Sequence, residues 1–277
     1  MRTGLSRRNA PSLRTTTNLI ITVMAMYPFF HEPTLAQDVE DVYNGTEDPF
    51  KNFAVRMIIA VSLQRMDTQY AGLADSYYLA ALKYMEPAVK PMNVQTIQCF
   101  MLIGAYSLLT PTRTAVYYVI GLAVRLAQAL GLCEEKTISQ PLGGKVPNAI
   151  ELDMRRRIFW SVINMDYGLA HSLGRSSCFA TLQDHIDVKW YETVDDSYIT
   201  PGGVKPNAPG SLKKWISIHF HKMRLHQLEI RRKLYQKKRE TPKDENDLWF
   251  LEMEQKITAW KDASPETDIG TGLDKAW

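Results

Sequence analysis

The spacing of apolar residues predicts a chain built almost entirely of helices. Apolar positions recur every three or four residues over most of the sequence, and no sustained two-residue alternation appears before Cys178. This pattern indicates an all-α fold, an irregular multi-helix domain of the helical-bundle or solenoid-like kind. We expect helices at residues 34–43, 50–64, 73–85, 94–109, 114–130, 149–173, 212–238 and 245–260.

Proline and glycine mark the junctions between these helices. Gly131 stands where a left-handed cap would end the fifth helix. Residues 178–211 hold three prolines, an adjacent glycine pair and several aspartates, which predicts one long surface connection. We therefore expect a basic, poorly ordered leader at residues 1–26, one domain at residues 27–260 and a frayed tail at residues 261–277.

A lone carboxylate, Asp166, falls on the apolar face of the helix predicted at residues 149–173. A buried carboxylate needs a cation or several hydrogen-bond donors. Arg125 is the one charged residue between positions 114 and 133, and a helix that is apolar nearly all round is itself buried. We expect Arg125 to pair with Asp166 inside the protein, with Arg175 as the alternative partner.

Three consecutive arginines, at positions 155–157, stand just before an aromatic pair at positions 159 and 160. They begin about 15 Å from Asp166 along the helix, so they cannot neutralise it. We expect these arginines to pair with Glu151 and Asp153 or to stack on aromatic neighbours. The segment is interpreted as a structural lock in preference to a catalytic or phosphate-binding site.

Several motifs resemble one protein family. AVRLAQALGL (123–132), ELDMRRRIFWSVINMD (151–166), LGR (173–175) and DHIDV (184–188) are similar to the signature of the fungal-specific transcription factor domain. This domain is the middle homology, or regulatory, region of fungal regulators that carry a binuclear zinc cluster. YPFFHEPTL (27–35) resembles its start, and HFHKMRLHQLEIRRKLY (219–235) resembles a later helix. The resemblance implies a structural motif made of Arg125, Gly131, Arg155, Arg156, Arg157, Phe159, Trp160, Asp166, Gly174 and Arg175.

The resemblance also implies a regulator of DNA-templated transcription in the nucleus, with coactivators, other regulators or a second copy of itself as partners. A binuclear zinc cluster needs six cysteines in close pairs, whereas this sequence has Cys99, Cys133 and Cys178. We expect the zinc-cluster module to be missing, no zinc or other cofactor to be bound, and DNA to be contacted only indirectly. The chain ends soon after Trp260, whereas the family generally continues, so the domain is expected to be C-terminally incomplete.

Charge adds one further candidate. The balance of 33 basic and 30 acidic residues leaves +3, too little to attract nucleic acid or anionic lipid as a whole. A local basic run is a candidate nuclear-import signal, although its charges fall all round the helix, as on a solvated helix end. The run consists of Arg231, Arg232, Lys233, Lys237, Lys238 and Arg239.

Other classes of protein fit the sequence less well. A tetratricopeptide-like interaction scaffold is the alternative, because LADSYYLAALKYM (73–85) resembles one helix of such a repeat, but no second copy aligns at a fixed period. No catalytic, metal-ligating or DNA-contacting residue is assigned, so we expect a protein that is not an enzyme. Residues 114–133 approach membrane-spanning length, but Arg125 and Gln128 favour a helix buried in protein.

Overall fold

Ten α-helices make up most of the structure that the computed structural model describes, which covers residues 26–111, 114–141, 144–179, 186–235 and 241–264. The helices are α1 Glu32–Tyr43, α2 Pro49–Met66, α3 Ala71–Leu82, α4 Met85–Val89, α5 Val94–Leu109, α6 Val116–Ala129, α7 Glu135–Ile138, α8 Ala149–Ser172, α9 Leu212–Leu234 and α10 Leu248–Asp262. Two-residue strands, β1 (Ile199–Thr200) and β2 (Gly203–Val204), pair antiparallel within the connection before α9. The prediction of an all-α, irregular multi-helix fold is confirmed.

One predicted helix is in fact two. The segment predicted at residues 73–85 is interrupted after α3, and the chain resumes as the short α4. Pro87 explains the break, because its ring has no N–H to donate to the carbonyl of Lys83 and would clash with it in a continuous helix. In the first turn of α4 the same proline costs nothing, since the N–H it lacks would have no partner within the helix there.

The helix ends carry the caps that their sequences favour. Asn93 and Thr96 form a reciprocal capping box at the start of α5, and Asn148 and Glu151 form another at the start of α8. Each box satisfies backbone N–H groups that have no partner within the helix. These caps therefore define the residues at which α5 and α8 begin.

Glycines end α6 and α8, and the left-handed cap predicted at Gly131 is confirmed. Gly131 has a φ of +69° and Gly174 a φ of +62°. The residue after each glycine donates its N–H back into the last turn, from Leu132 to Ala127 O and from Arg175 to Ala170 O, both at 2.9 Å. Side chains with a Cβ are strained in this conformation, so these positions favour glycine.

The core forms where α2 and α5 pack together. Each of the two helices buries residues around most of its circumference, and α2 also packs against α1 and α3. On the other side α5 packs against α6, α6 against α8, α8 against α9, and α9 against α10. Because the helices differ widely in length, the result is an irregular stack without repeated helix pairs.

The outer face of α6 differs from the prediction that this helix is buried all round. Tyr118 is 75% exposed and Leu122 53% exposed, and Arg125 lies on the same face and is also exposed. The inner face, at Ile120, Ala123, Val124 and Ala127, is fully buried. Within the residues that the structure describes, no helix combines the length and hydrophobicity needed to cross a bilayer.

The close contact between α5 and α6 can be tested at Gly104. A Cβ at this position would lie 2.5 Å from Ile120 Cδ1 and 3.2 Å from Met165 Sδ, so one of these side chains would have to move. We expect Gly104→Ala to lower the free energy of unfolding by about 1–3 kcal/mol, measured by urea denaturation. The matched control is Gly121→Ala in α6, where a Cβ meets no atom within 4 Å. It should gain up to about 1 kcal/mol from helix propensity, and equal losses in the two variants would contradict the close packing.

Candidate functional site

The three arginines in the N-terminal half of α8 bind other segments of the chain. Successive residues on a helix point about 100° apart, so the arginines at positions 155–157 reach different neighbours. Arg157 points to the centre of the protein, where the segment before α1, the connection after α8 and the start of α9 meet. We name the charged group at this point the ionic cluster, made of Asp153, Arg157, Asp196 and Lys214.

Arg157 is fully buried and carries most of the ionic cluster's contacts. Its Nη1 donates to Asp196 Oδ2 at 3.0 Å and to Phe30 O at 3.3 Å. Its Nη2 lies 2.6 Å from Asp196 Oδ1 and 2.5 Å from Asp153 Oδ2. Lys214 Nζ also lies 2.6 Å from Asp196 Oδ1. Two cations and two carboxylates therefore neutralise one another in the interior.

The charges of the ionic cluster shift the pKa values of two of its members, Asp196 and Lys214. Burial alone would raise the pKa of Asp196, but the hydrogen bonds and charge of Arg157, together with the charge of Lys214, hold that pKa far below its usual value. Burial and the neighbouring charge of Arg157 lower the pKa of Lys214, and the charge of Asp196 opposes them. Asp196 is therefore an ionised carboxylate at any physiological pH.

Backbone groups complete the ionic cluster and tie distant segments to it. Asp196 Oδ2 accepts the N–H of Glu32 at 2.9 Å, and the carbonyl oxygen of Asp196 lies 3.0 Å from His31 Nε2. Asp153 Oδ1 accepts the N–H of Glu192 at 2.7 Å. Lys214 donates to the carbonyl of Val194 at 2.6 Å. The start of α1, the connection and α9 are thus all fixed to α8.

The other two arginines hold the segment that precedes α8. Arg155 Nη1 donates to the carbonyl oxygens of Ile138 at 2.7 Å and Gln140 at 2.9 Å. Arg156 forms an ion pair with Glu135, whose Oε2 also accepts the N–H of Lys189 at 3.0 Å. Both arginines therefore fix α7 and the turn after it against α8.

The aromatic pair after the arginines packs against the connection. Trp160 stacks on Trp190 with ring centroids 4.0 Å apart, and its Nε1 donates to the carbonyl of Lys189 at 3.1 Å. Phe159 is fully buried and packs edge-on against Phe179. The segment predicted as one long surface connection is therefore packed against the body at Phe179, Lys189 and Trp190.

The predicted ion pair between Arg125 and Asp166 is wrong. Asp166 is buried, but its Oδ2 accepts the hydroxyl of Ser177 at 2.5 Å and the N–H of Cys178 at 3.0 Å. Burial raises the pKa of Asp166, and these hydrogen bonds oppose the rise. Burial and the charge of Asp166 raise the pKa of the Cys178 thiol, and the charge of the exposed Arg125 opposes this rise. The alternative partner, Arg175, is also exposed.

The basic run predicted as an import signal is only partly described. Lys237, Lys238 and Arg239 lie outside the described residues. Arg231 closes the end of α8, because it donates to the carbonyls of Ala170 at 2.6 Å and Arg175 at 2.7 Å. Arg232 and Lys233 occupy the last turn of α9.

Comparison with known protein families gives a match over most of the chain. A family model, the fungal specific transcription factor domain, matches residues 22–262. The chain belongs to the fungal-specific transcription factor domain family. The Asp153–Arg157 pair, Trp160 and Asp166 all lie inside the matched region.

Curated relatives of this fungal transcription factor domain are regulators of transcription. Pyrimidine pathway regulatory protein 1 of Saccharomyces cerevisiae is 27% identical over 194 residues, which is 67% of this chain and 21% of that protein. Protein STB5 of the same yeast is 27% identical over 156 residues, 54% of this chain and 21% of that protein. The ABC-transporter-regulating transcription factor of Aspergillus fumigatus is 22% identical over 253 residues, 87% of this chain and 27% of that protein. The chain thus spans about a fifth to a quarter of the length of these relatives, and no solved structure matches it.

Two members of the ionic cluster were missed in the sequence. Asp196 and Lys214 belong to none of the motifs that the sequence shows. A signal for Lys214 is present, since it lies on the buried face of α9 with Ser217, Ile218 and His221. Within the described part of the fungal domain, no three His, Cys, Asp or Glu side chains gather closely enough to hold a metal ion.

His221 is a further buried polar group, and the sequence pattern did not assign it a role. Asn164 Nδ2 lies 2.5 Å from its Nδ1 and Ser217 Oγ 3.4 Å from its Nε2, while the rings of Trp160, Trp190 and Tyr191 surround it. An amide nitrogen can only donate, so Nδ1 is unprotonated and the imidazole is neutral. Burial accordingly lowers the pKa of His221 to about 3.

The ionic cluster can be tested by removing its central cation. Arg157→Met leaves two buried carboxylates with Lys214 alone, so we expect a loss of about 3–5 kcal/mol in the free energy of unfolding, measured in urea. The control is Lys145→Met, which removes the exposed Lys145–Glu151 pair and should cost less than about 1 kcal/mol. A loss below that of the control would show that Arg157 is not a structural cation.

The neutral His221 predicts a dependence of stability on pH. The folded-state pKa lies below the unfolded value of about 6.5, so acid protonates the unfolded chain first and stability falls as the pH drops below that value. Between pH 7 and pH 5 this group alone removes about 2 kcal/mol. His221→Gln should flatten the fall by about that amount in denaturation series at each pH, whereas His171→Gln, at the exposed end of α8, should not. Parallel pH curves for wild type and His221→Gln would contradict the assignment.

Proposed function

We propose that this chain acts as the regulatory domain of a fungal transcription regulator and works in the nucleus through contacts with coactivators or other regulators. One observation carries the proposal: the family match at residues 22–262 covers the described body except for its last two residues. The proposal is supported by longer regulators that align with 54%, 67% and 87% of this chain. Nothing comparable supports the tetratricopeptide-like scaffold.

The geometry supports a regulatory and structural role over a catalytic one. The buried charges of the ionic cluster bind one another and backbone carbonyls, which leaves them committed to holding segments together. Asp166 is likewise occupied by a turn of its own chain. We propose that the protein is not an enzyme and has no metal or cofactor of its own within this domain.

Sequence-specific DNA contact requires a further element in this proposal. A binuclear zinc cluster needs six thiolates, and the sequence has three cysteines, of which Cys99 is buried in the core. Burial raises the pKa of the Cys99 thiol to about 12, which disfavours the thiolate that a metal would need. We propose that DNA is reached through another module or through a partner protein that carries one.

Tethering the chain to DNA tests this function. The full chain, fused to a heterologous DNA-binding domain and a fluorescent protein in yeast, should accumulate in the nucleus and change a reporter gene severalfold in either direction. The change should be lost in the Arg157→Met fusion, whose fold is weakened, and kept in the Lys145→Met fusion. A nuclear, intact wild-type fusion with the reporter activity of the DNA-binding domain alone would reject the proposal.

A further inference from the structure

A groove of about 870 Å³ opens between the first turns of four helices, α1, α2, α5 and α8. Its floor includes the buried side chains of Phe30, Leu35, Phe50 and Arg155, and its rim includes the exposed Gln95. The volume falls within the range of about 300–1,000 Å³ that is usual for small-molecule sites. The groove is separate from the ionic cluster, because none of the four residues that define the cluster lines it.

Four helices line the groove with their N-terminal ends, and α6 lines it with its C-terminal cap, Leu130. The residues that α1, α2, α5 and α8 contribute to its lining all come from the two turns at the start of each helix or from the residue before it. The N-terminal end of a helix carries the positive end of its dipole. Caps such as Asn93 and Asn148 satisfy the nearest N–H groups. The four helices therefore act on a ligand mainly through their dipoles and less through free N–H donors.

The lining holds two acidic side chains, Asp38 and Glu151, and two basic ones, Lys51 and Arg155, and three of the four are ion-paired. Asp38 lies 3.0 Å from Lys51 Nζ. Glu151 accepts the backbone N–H of Asn148 and lies 3.1 Å from Lys145 Nζ. Arg155 has no ion-pair partner among the residues that the structure describes, although Glu151 is near enough to act on it at longer range. The formal charges of the lining sum to zero, and Arg155 is its one charged side chain without a direct ion pair among the described residues.

Arg155 is placed to receive an anion. The residue is only 7% exposed, and only its Nη1 makes hydrogen bonds among the described residues, both to backbone carbonyls. Nε and Nη2 are left as donors, and a guanidinium binds a carboxylate well with two parallel N–H groups. A buried cation without a counter-ion is costly, so a bound anion would relieve that cost.

The rest of the lining is largely apolar. Side chains of Phe30, Leu35, Phe50, Val94, Leu130, Ile150 and Met154 face the same space. Such walls favour a hydrocarbon or aromatic body, since removing apolar area from water stabilises the complex. An inorganic anion would leave these walls exposed to water.

We propose that this groove binds an amphipathic organic carboxylate, with its carboxylate on Arg155 and its apolar body along these walls. Such a ligand would act as a small-molecule effector of the domain, and that role rests on the proposed regulatory function. Binding of the carboxylate in the groove does not depend on that regulatory function.

Calorimetric titration of the full chain with sodium decanoate, below its micelle concentration, tests the site. We expect saturable binding of one decanoate per chain and about tenfold weaker binding of decanol, which lacks the charge. Arg155→Gln should weaken decanoate at least about tenfold and leave decanol unchanged. The control is Arg156→Gln, because Arg156 pairs with Glu135 outside the groove and should not affect either ligand.

A second variant covers the case in which Arg155→Gln does not fold. Gln95→Trp changes an exposed residue at the rim whose side chain makes no hydrogen bond to the described residues, and the larger indole should obstruct the groove and block both ligands. The proposal is overturned if wild type binds no decanoate, if decanol binds as tightly, or if decanoate binding survives Gln95→Trp. Decanoate binding together with a silent reporter would leave the groove in place and reject only the regulatory function.

Discussion

Two carboxylates and two cations meet in the interior beside α8, and the arrangement of the whole domain depends on their meeting. Arg157 cannot lose its charge, so it is tolerated in the core only when Asp153 and Asp196 reach it together. Asp196 comes from the connection and Lys214 from α9, while Glu32 closes the site from the start of α1. A buried cluster of this kind adds little net stability over an apolar core, but it strongly disfavours arrangements in which one partner is absent. It therefore acts by selecting one packing of the segments.

Most of the helices were predictable because their signals are local, although the four-residue α7 was not predicted. Apolar spacing, capping residues and the glycine at 131 each act within a few residues, and α5 was predicted at its observed bounds. Within α8, the four-residue separation of Asp153 and Arg157 was also visible, since these positions are neighbours on a helix. The break between α3 and α4 was missed although Pro87 signals it within the same short range.

Long-range pairing was not predictable in the same way. The expected partner of Asp166 was chosen by counting charges on apolar helices, and that rule failed because α6 exposes an apolar face that includes Tyr118 and Leu122. Asp166 instead binds a turn eleven and twelve residues later, where Ser177 and Cys178 offer neutral donors that carry no charge signal. The family assignment does not rest on that ion pair. It rests on motifs in the correct order and on the family match, which tolerate an error about one side chain.

The span of the ionic cluster has a consequence for synthesis. Its contacts join Phe30 near one end of the described chain to Lys214 in α9, so the cluster closes only after the ribosome has released the residues up to α9. Until then α1, α2 and α5 can pack against one another, but the ionic cluster at Arg157 and Asp153 is incomplete. Long-range closure of this kind slows folding and exposes apolar faces to other chains meanwhile. The nascent polypeptide is therefore expected to depend on chaperones most in the interval between the emergence of α8 and that of α9.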